Sequence, residues 1–273
     1  SIASALATGA KRGLLMKGGA VIEAAAKTIV VAFDKTGTLT NGRPMVTDVI
    51  SLGAKNADVL RIAAGIENGS SHPLAEAILK KAEDEGIVPP AASAAKAIVG
   101  KGVEAVVDGD KAWVASPKYA ESQGALDTAG MKTAADLEAQ GKTVVVVYRE
   151  RKALGLIAMR DEARADAMEA VRQLNALDIR SVMLTGDNPR TAAAIAGLMG
   201  VDYKAELMPE DKVTAIKDIA KEGGAMMIGD GINDAPALAQ ASVGVAMGSG
   251  TDVALETADA AILRNRVTDV PAM

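Results

Sequence analysis

A buried-strand pattern that ends in a carboxylate constrains the fold of this 273-residue chain more than any other feature. Residues 28–33, Thr-Ile-Val-Val-Ala-Phe, form a short apolar run, and Asp34 follows directly. Runs of this kind are typical of parallel strands that are covered on both faces. A carboxylate at the exit of such a strand is placed for chemistry. We therefore expect an active site around Asp34.

The residue two positions after Asp34 bears on how a phosphorylated aspartate would behave. A carboxyl group at position 36 could serve as general acid and base and hydrolyse an acyl phosphate quickly, whereas the hydroxyl of Thr36 cannot. We therefore expect an aspartyl phosphate formed on Asp34 to persist.

Helix and strand patterns alternate from about residue 154 to the end, which predicts an α/β fold with a doubly wound, mainly parallel sheet. Two helices are predicted to begin at Pro189 and Pro209, because proline is tolerated in the first helical turn. The predicted strands after residue 154 cover residues 180–184, 225–228, 243–246 and 260–263.

The region between residues 45 and 153 has a different pattern and predicts an α+β insertion. It contains helix patterns at residues 56–68 and 73–85, and an Asp108-Gly109 turn between two short strands, which is a hairpin signal. A further strand is predicted at residues 143–148, and residues 88–95 are the best candidate for an exposed loop.

The composition excludes several classes of site. The chain has no cysteine, so it has no disulfide or thiolate metal site, and its one histidine excludes a site built from several imidazoles. The net charge of −5 is spread along the chain and gives no support for nucleic-acid binding. No apolar run reaches the roughly 18 residues needed to cross a bilayer, so we expect this chain to be soluble.

Two further groups of polar residues follow apolar strands. The run Thr185-Gly186-Asp187 offers a hydroxyl, an unhindered amide and a helix start, which together could hold a phosphate, although an ordinary capped turn has the same composition. Lys212 lies in the first turn of a predicted helix, where a cation opposes the helix dipole and requires an anionic partner, unless it is simply a solvated surface lysine.

The run Gly229–Asp234 supplies the oxygen atoms of Asp230, Asn233 and Asp234 next to two glycines. This set suits a hard cation that keeps several waters. A calcium loop is the competing interpretation, but the distant glutamate of such a loop is missing.

In the insertion, Glu67 and His72 flank a link between two helices, and this link is also explained as a simple turn. Gly100 and Gly102 lie beside a strand, where they would let the backbone approach a ligand closely.

Taken in order, these motifs resemble the catalytic core of the P-type ATPases, in the haloacid dehalogenase superfamily. The Asp-Lys-Thr-Gly-Thr run carries the resemblance, and the Ser-x-His-Pro element at His72 resembles the heavy-metal-transporting subgroup. The resemblance implies that ATP phosphorylates Asp34, that Thr185 and Gly186 hold the phosphoryl oxygens, and that Lys212 neutralises charge. It also implies that Mg²⁺ is bound by Asp34, Asp230 and the backbone carbonyl of Thr36, and that Asp187, Asn233 and Asp234 complete the catalytic set. The nucleotide-binding residues implied are Glu67 and His72 at the adenine, together with Gly100, Gly102, Lys35 and Thr36.

The same resemblance implies a domain division and a set of partners. Residues 1–26 would be a juxtamembrane lead-in, residues 27–44 and 154–273 a discontinuous phosphorylation domain, and residues 45–153 the nucleotide-binding domain. The fragment, expected to be monomeric, would be the cytosolic part of a membrane pump with actuator and transmembrane domains. The pump would export a metal ion held by membrane helices outside this chain. Ser116-Pro117, where copper transporters usually have Gly-Asn, favours zinc, cadmium or cobalt over copper.

Two alternatives remain at this point. A soluble phosphatase of the same superfamily would act on a small phosphate ester, but Thr36 in place of an acid argues against it. A catalytically idle nucleotide-sensing module would not require Asp34, and the intact set of acids makes it the weakest candidate.

Overall fold

The computed structural model describes residues 2–273, apart from the side chain of Ile232. The chain forms two compact units. Unit 1 consists of the residues up to Gly42 together with Glu162–Met273, and unit 2 consists of Arg43–Asp161. Among the described residues, no helix has the length and hydrophobicity needed to span a membrane.

The elements below are numbered in chain order. The helices are α1 (Ile2–Lys11), α2 (Gly19–Ala26), α3 (Asn56–Glu67), α4 (Pro73–Asp84), α5 (Pro117–Ser122), α6 (Thr128–Glu138), α7 (Ala165–Ala176), α8 (Pro189–Met199), α9 (Pro209–Ala220), α10 (Ala235–Gln240) and α11 (Asp252–Thr257). The strands are β1 (Leu14–Met16), β2 (Thr28–Asp34), β3 (Met45–Ser51), β4 (Ala92–Ile98), β5 (Gly102–Val107), β6 (Asp110–Ala115), β7 (Thr143–Arg149), β8 (Lys152–Arg160), β9 (Arg180–Leu184), β10 (Asp202–Lys204), β11 (Gly224–Gly229), β12 (Val243–Met247) and β13 (Ala260–Ile262).

Unit 1 is built on a seven-stranded sheet with the order β1-β13-β12-β11-β2-β9-β10. All of its pairings are parallel except that of β1 with β13. Val31 and Phe33 of β2 pack on one face with α7 and α8, whereas Val30 and Ala32 pack on the other face with α9 and α10. Covered faces explain why β2 is apolar throughout. The predicted doubly wound, mainly parallel sheet is confirmed.

The register of the three central strands fixes the position of the polar residues. β2 lies between β9 and β11, with Asp34 beside Leu184 and Phe33 beside Ile228. The segments that follow these strands therefore leave the sheet at the same edge. This edge carries Asp34 and the two polar runs that begin at Thr185 and Gly229.

Unit 2 contains an antiparallel sheet with the order β3-β8-β7-β6-β5-β4. Helices α3 and α4 pack on one face of this sheet, and α5 and α6 pack on the other. Asp108 and Gly109, with φ of 53° and 86°, form the turn between β5 and β6. Both φ values are positive, as the favoured two-residue hairpin turn requires, so the predicted hairpin is correct.

The boundary after unit 2 differs from the expected one at residue 154. Strand β8 pairs with β7 and with β3, which places residues 154–160 in the sheet of unit 2. The chain turns tightly at Glu150, where φ is 46°, and continues as a hairpin rather than returning to the parallel sheet. An apolar run of this length fits either sheet, so the sequence pattern could not identify its partner.

The expected loop at residues 88–95 is only partly a loop. Residues 92–98 form the edge strand β4, which pairs with β5 and is exposed along nearly its whole length. Its small residues show no alternation of apolar and polar side chains, because neither face is buried, so the sequence carried no strand signal.

Candidate active site

The turn after β2 surrounds Asp34. Asp34 is 7% exposed and is followed by a tight turn over Lys35–Leu39. Thr36 is extended in this turn, Gly37 has a φ of 76°, and the amide and hydroxyl of Thr40 both donate to the carbonyl of Lys35 at 3.1 Å. The turn therefore holds the backbone after Asp34 in one conformation.

Lys212 reaches this carboxylate from the start of α9. Asp211 accepts a hydrogen bond from the amide of Met208 at 2.9 Å and caps the helix. The ammonium of Lys212 then lies 2.5 Å from Asp34 Oδ1 and 2.9 Å from Asp234 Oδ1. The two carboxylates offset both the burial of the cation and its unfavourable position at a helix N-terminus. Lys212 therefore has two anionic partners, Asp34 and Asp234, where the sequence predicted one.

The ionisation of these groups reflects crowded negative charge. Burial raises the pKa of Asp34 to about 7. The positive charge of Lys212 lowers this pKa, whereas the negative charges of Asp234 and Asp230 raise it further. Burial opposes the charge on Lys212, but Asp34 and Asp234 outweigh it and raise the pKa of the ammonium. The site therefore has more carboxylate charge than one lysine can neutralise.

Three of these carboxylates could bind a metal ion together. Oxygen atoms of Asp34, Asp230 and Asp234 lie within 4.8 Å of one another. A Cβ on Gly37 would come within 1.8 Å of Asp230 Oδ2, so the turn approaches this carboxylate more closely than any side chain would allow. A few oxygen ligands, one of them on the half-buried Asp230, fit Mg²⁺, which keeps several waters.

The structure brings together most of the residues assigned to this part of the site. Asp34 and Asp230, predicted as metal ligands, are adjacent, and Asp234 joins them. Thr36 lies in the turn two residues after Asp34. Asn233 lies next to Asp234 in the turn that precedes α10, and its side chain is exposed.

The run after β9 is tied to the turn that follows Asp34. Thr185 is 3% exposed, and its hydroxyl donates to Asp187 Oδ2 and accepts from the Asp187 amide, both at 3.1 Å. Asp187 Oδ2 also lies 2.6 Å from the ammonium of Lys35. Gly186 lies close to the backbone of Leu207, since a Cβ on Gly186 would be 3.2 Å from the Leu207 carbonyl oxygen. The sequence interpretation missed the ion pair between Lys35 and Asp187. The one signal for it was a lysine next to a buried strand end.

In unit 2, Glu67 and His72 occupy the ends of the two helices that they link. Glu67 ends α3 and is 7% exposed, and burial raises the pKa of its carboxyl group to about 6. His72 itself caps α4, because its Nδ1 accepts a hydrogen bond from the amide of Leu74 at 3.2 Å. An accepting Nδ1 carries no proton, which agrees with the pKa of His72 being lowered by partial burial.

Gly100 and Gly102 have structural reasons for being glycine. Gly100 has a φ of 69°, and a Cβ on Gly102 would lie 2.2 Å from the carbonyl of Val114 on the neighbouring strand β6. The residue between them, Lys101, accepts a hydrogen bond from the amide of Ser116 at 2.8 Å through its carbonyl. These contacts shape the loop before β5, and they leave a ligand-binding role for the two glycines as a prediction.

Comparison with known proteins gives the family. A family model described as haloacid dehalogenase-like hydrolase matches residues 30–242. The zinc/cadmium/lead-transporting P-type ATPase of Escherichia coli (strain K12) is 48% identical over 268 residues, which are 98% of this chain and 36% of that protein. Relatives named as copper-exporting P-type ATPases match at 41% to 43% identity. The chain thus spans little more than a third of the length of these relatives.

Solved structures agree with this assignment. A zinc-transporting PIB-type ATPase in the E2.Pi state matches with a TM-score of 0.71 and 47% identity, over 98% of this chain and 44% of that chain. The catalytic domain of the CPx-ATPase CopB-B, described in connection with nucleotide binding, matches with a TM-score of 0.76 and 28% identity, over 97% of this chain and 96% of that chain. The chain therefore belongs to the haloacid dehalogenase-like hydrolases, and over nearly its whole length it resembles the catalytic part of heavy-metal-transporting P-type ATPases.

Proposed function

We propose that this chain transfers the terminal phosphoryl group of ATP to Asp34 and thereby forms an aspartyl phosphate. The observation that carries the proposal is the contact of one buried ammonium, that of Lys212, with both Asp34 and Asp234, next to the carboxylate of Asp230. A purely structural ion pair would not need two further acids at the same strand edge. Perturbed, clustered acids at such an edge are typical of catalytic sites.

In the proposed step, a carboxylate oxygen of Asp34 attacks the γ-phosphorus of ATP. The bond between this phosphorus and the β,γ-bridging oxygen breaks, and ADP leaves with the electron pair. Lys212 neutralises charge near the nucleophile, and the hydroxyl of Thr185 with the amide of Gly186 binds phosphoryl oxygens. Such fixed donors act where charge is concentrated in the transition state, which is the main source of catalysis in phosphoryl transfer.

The residues that would hold Mg²⁺ are Asp34, Asp230 and the backbone carbonyl of Thr36, with Asp234 beside them. When bound, the ion would neutralise charge on the phosphate oxygens. Asp187 Oδ2 lies 2.6 Å from the Lys35 ammonium, so it would orient Lys35 toward the phosphates. The Thr185 hydroxyl donates its one proton to Asp187 at 3.1 Å and would redirect this hydrogen bond to a phosphoryl oxygen when ATP binds. Asn233 is proposed to belong to the same set on the basis of the resemblance.

Unit 2 would bind the adenine through Glu67 and His72, together with Gly100 and Gly102, which precede and begin β5. The protonation states of His72 and Glu67 support this role in adenine binding. The imidazole of His72 is neutral, with its proton on Nε2, and the raised pKa of Glu67 keeps part of this carboxyl population protonated near neutral pH. Both groups can therefore act as hydrogen-bond donors to a neutral base.

In the longer protein, the acyl phosphate would drive export of a heavy-metal ion. We propose zinc, cadmium or cobalt, in line with Ser116-Pro117 and with the relative named as transporting zinc, cadmium and lead. The actuator and membrane domains of such a pump, which would place this chain on the cytosolic side, would be supplied by other parts of the protein.

The test is labelling of this chain with γ-³²P-ATP and Mg²⁺. We expect a label that hydroxylamine releases, because hydroxylamine attacks acyl phosphates. The Asp34→Asn variant should bind ATP in calorimetry with unchanged affinity and acquire no label. ATP binding without any hydroxylamine-labile label in the unaltered chain would exclude the proposed reaction.

A further inference from the structure

A short helix connects the lead-in segment with the acid Asp230. The ammonium of Lys17, in the turn between β1 and α2, donates to the carbonyls of Glu256 at 2.7 Å and Leu255 at 3.2 Å. These carbonyls belong to the last turn of α11. The amide of Lys17 also donates to the carbonyl of Asp259 at 2.9 Å. Carbonyls at a helix end lack intrahelical partners, and a cation there complements the helix dipole.

The other end of α11 lies on the backbone of Asp230. Thr251 caps the helix by accepting a hydrogen bond from the amide of Ala254 at 3.3 Å. The amide of the same threonine donates to the carbonyl of Asp230 at 2.8 Å. Gly250 makes this approach possible, because a Cβ there would lie 3.0 Å from the Asp230 carbonyl oxygen and 3.3 Å from its Cα. One hydrogen bond therefore joins Thr251, the residue that caps α11, to the backbone of Asp230.

Helix α11 is held by the contacts at its two ends and by Ala254 and Leu255, which pack against the core of unit 1. It has six residues, and only Ala254 among them is buried, while Val253 is 45% exposed. A helix of this length is unstable without tertiary contacts, because nucleation is unfavourable and few internal hydrogen bonds follow it. α11 also packs against the turn Ile232–Asp234, which leads into α10. A well-ordered α11 therefore helps to fix the backbone at both Asp230 and Asp234.

We propose that Lys17 is a positioning residue that fixes Asp230 through α11. It would not touch the phosphoryl group or the metal ion. Loss of its charge loosens the last turn of α11, and the Thr251 amide then restrains the Asp230 carbonyl less strongly. The inference rests on the proposed function, because it treats Asp230 as a ligand of Mg²⁺. Through Lys17, the segment before α2 would thus influence the affinity of the site for Mg²⁺.

The test compares Lys17→Met with Lys17→Arg and with Lys27→Met, which removes another exposed lysine at the C-terminal end of a helix in unit 1. Three quantities are measured on the full 273-residue chain: amide hydrogen exchange at Thr251, the dissociation constant of Mg²⁺ by calorimetry, and labelling by γ-³²P-ATP. ATP affinity and the unfolding midpoint serve as checks that both units are folded.

For Lys17→Met we expect faster exchange at Thr251 and an Mg²⁺ dissociation constant raised about twofold to fivefold, the range given by one charge at a helix terminus. Lys17→Arg should restore both values, and Lys27→Met should change neither. If Lys17→Met does not fold, Lys17→Gln, which keeps a donor without the charge, should show the same changes.

The outcomes separate this inference from the proposed function. Unchanged Mg²⁺ affinity and unchanged exchange at Thr251 in a folded Lys17→Met variant would overturn the role of Lys17, whatever the labelling shows. A chain that binds Mg²⁺ more weakly after Lys17→Met but never acquires a hydroxylamine-labile label would retain the role of Lys17 and refute the proposed phosphoryl transfer.

Discussion

The ammonium of Lys212 lies 2.5 Å from Asp34 Oδ1, although 178 positions separate the two residues in the sequence. Both side chains are largely buried, with 12% and 9% of their surface exposed. In such surroundings the loss of one partner leaves a charge without compensation, which makes this pair a sensitive point for both stability and catalysis.

We expect Lys212→Met to slow formation of the aspartyl phosphate by roughly 10² to 10³-fold, the effect usually found when one fixed donor is removed from a transition state. Single-turnover labelling with γ-³²P-ATP measures this rate. Lys217→Met removes an exposed lysine from the same helix and should leave the rate unchanged. A Lys212→Met variant that is labelled at the original rate would remove Lys212 from the mechanism.

A second prediction concerns the close approach of the turn to Asp230. In Gly37→Ala, the new Cβ would occupy the position of Asp230 Oδ2, and the residue would also have to adopt a positive φ. We expect Asp230 to be displaced and Mg²⁺ binding, measured by calorimetry, to weaken at least about tenfold, as for other disturbances of a metal environment.

Gly197→Ala provides the matched control. Gly197 lies inside α8, and a Cβ there meets open space. This change should leave Mg²⁺ binding unaltered and raise the free energy of unfolding by about 0.5 to 1 kcal/mol, because alanine favours the helix. Equal Mg²⁺ affinities of the two variants would show that Gly37 is not needed for the metal site.

Much of unit 1 was predictable because its signals are local. The apolar strands, the prolines at the starts of α8 and α9, and the carboxylate after β2 each occur within a few residues. Their grouping at one edge follows from the rule that parallel strands end together. The position of Lys212 in the first turn of α9 further indicated an anionic partner.

The features that escaped prediction depend on distant partners. The pairing of Lys35 with Asp187 joins two loops, and no spacing rule relates them. The cap at His72 replaces a more common serine cap, which composition alone would favour. β8 has the same apolar pattern as a parallel strand, and only its pairing with β3 and β7 assigns it to unit 2.

A third prediction follows from the burial of Glu67. Its folded-state pKa of about 6 lies above the ordinary value of 4.5, so the folded state binds the proton more tightly than the unfolded chain. The stabilisation from this group is therefore complete below pH 4.5 and is lost as the pH rises through 6. Glu67→Gln, which stays neutral, should be more stable than the unaltered chain by about 2 kcal/mol at pH 8, and the difference should shrink towards pH 5.

Urea unfolding of both proteins between pH 5 and pH 8 measures this difference. Glu121→Gln makes the same change at an exposed glutamate in unit 2 and serves as the matched control. A stability difference for Glu67→Gln that does not grow with pH would show that burial does not perturb this carboxyl group.

The last prediction concerns the lifetime of the phosphorylated state. Thr36 lies two residues after Asp34, is half-buried, and offers a hydroxyl that cannot act as a general acid and base at neutral pH. Thr36→Asp would add a carboxyl group at this position and should shorten the half-life of a preformed aspartyl phosphate by about 10² to 10⁴-fold, the usual range for general acid and base catalysis. The measurement is the decay of the ³²P label after a chase with unlabelled ATP. Thr36→Ser keeps the hydroxyl and should decay at the original rate, so equal decay in the aspartate and serine variants would mean that water reaches the acyl phosphate without help from position 36.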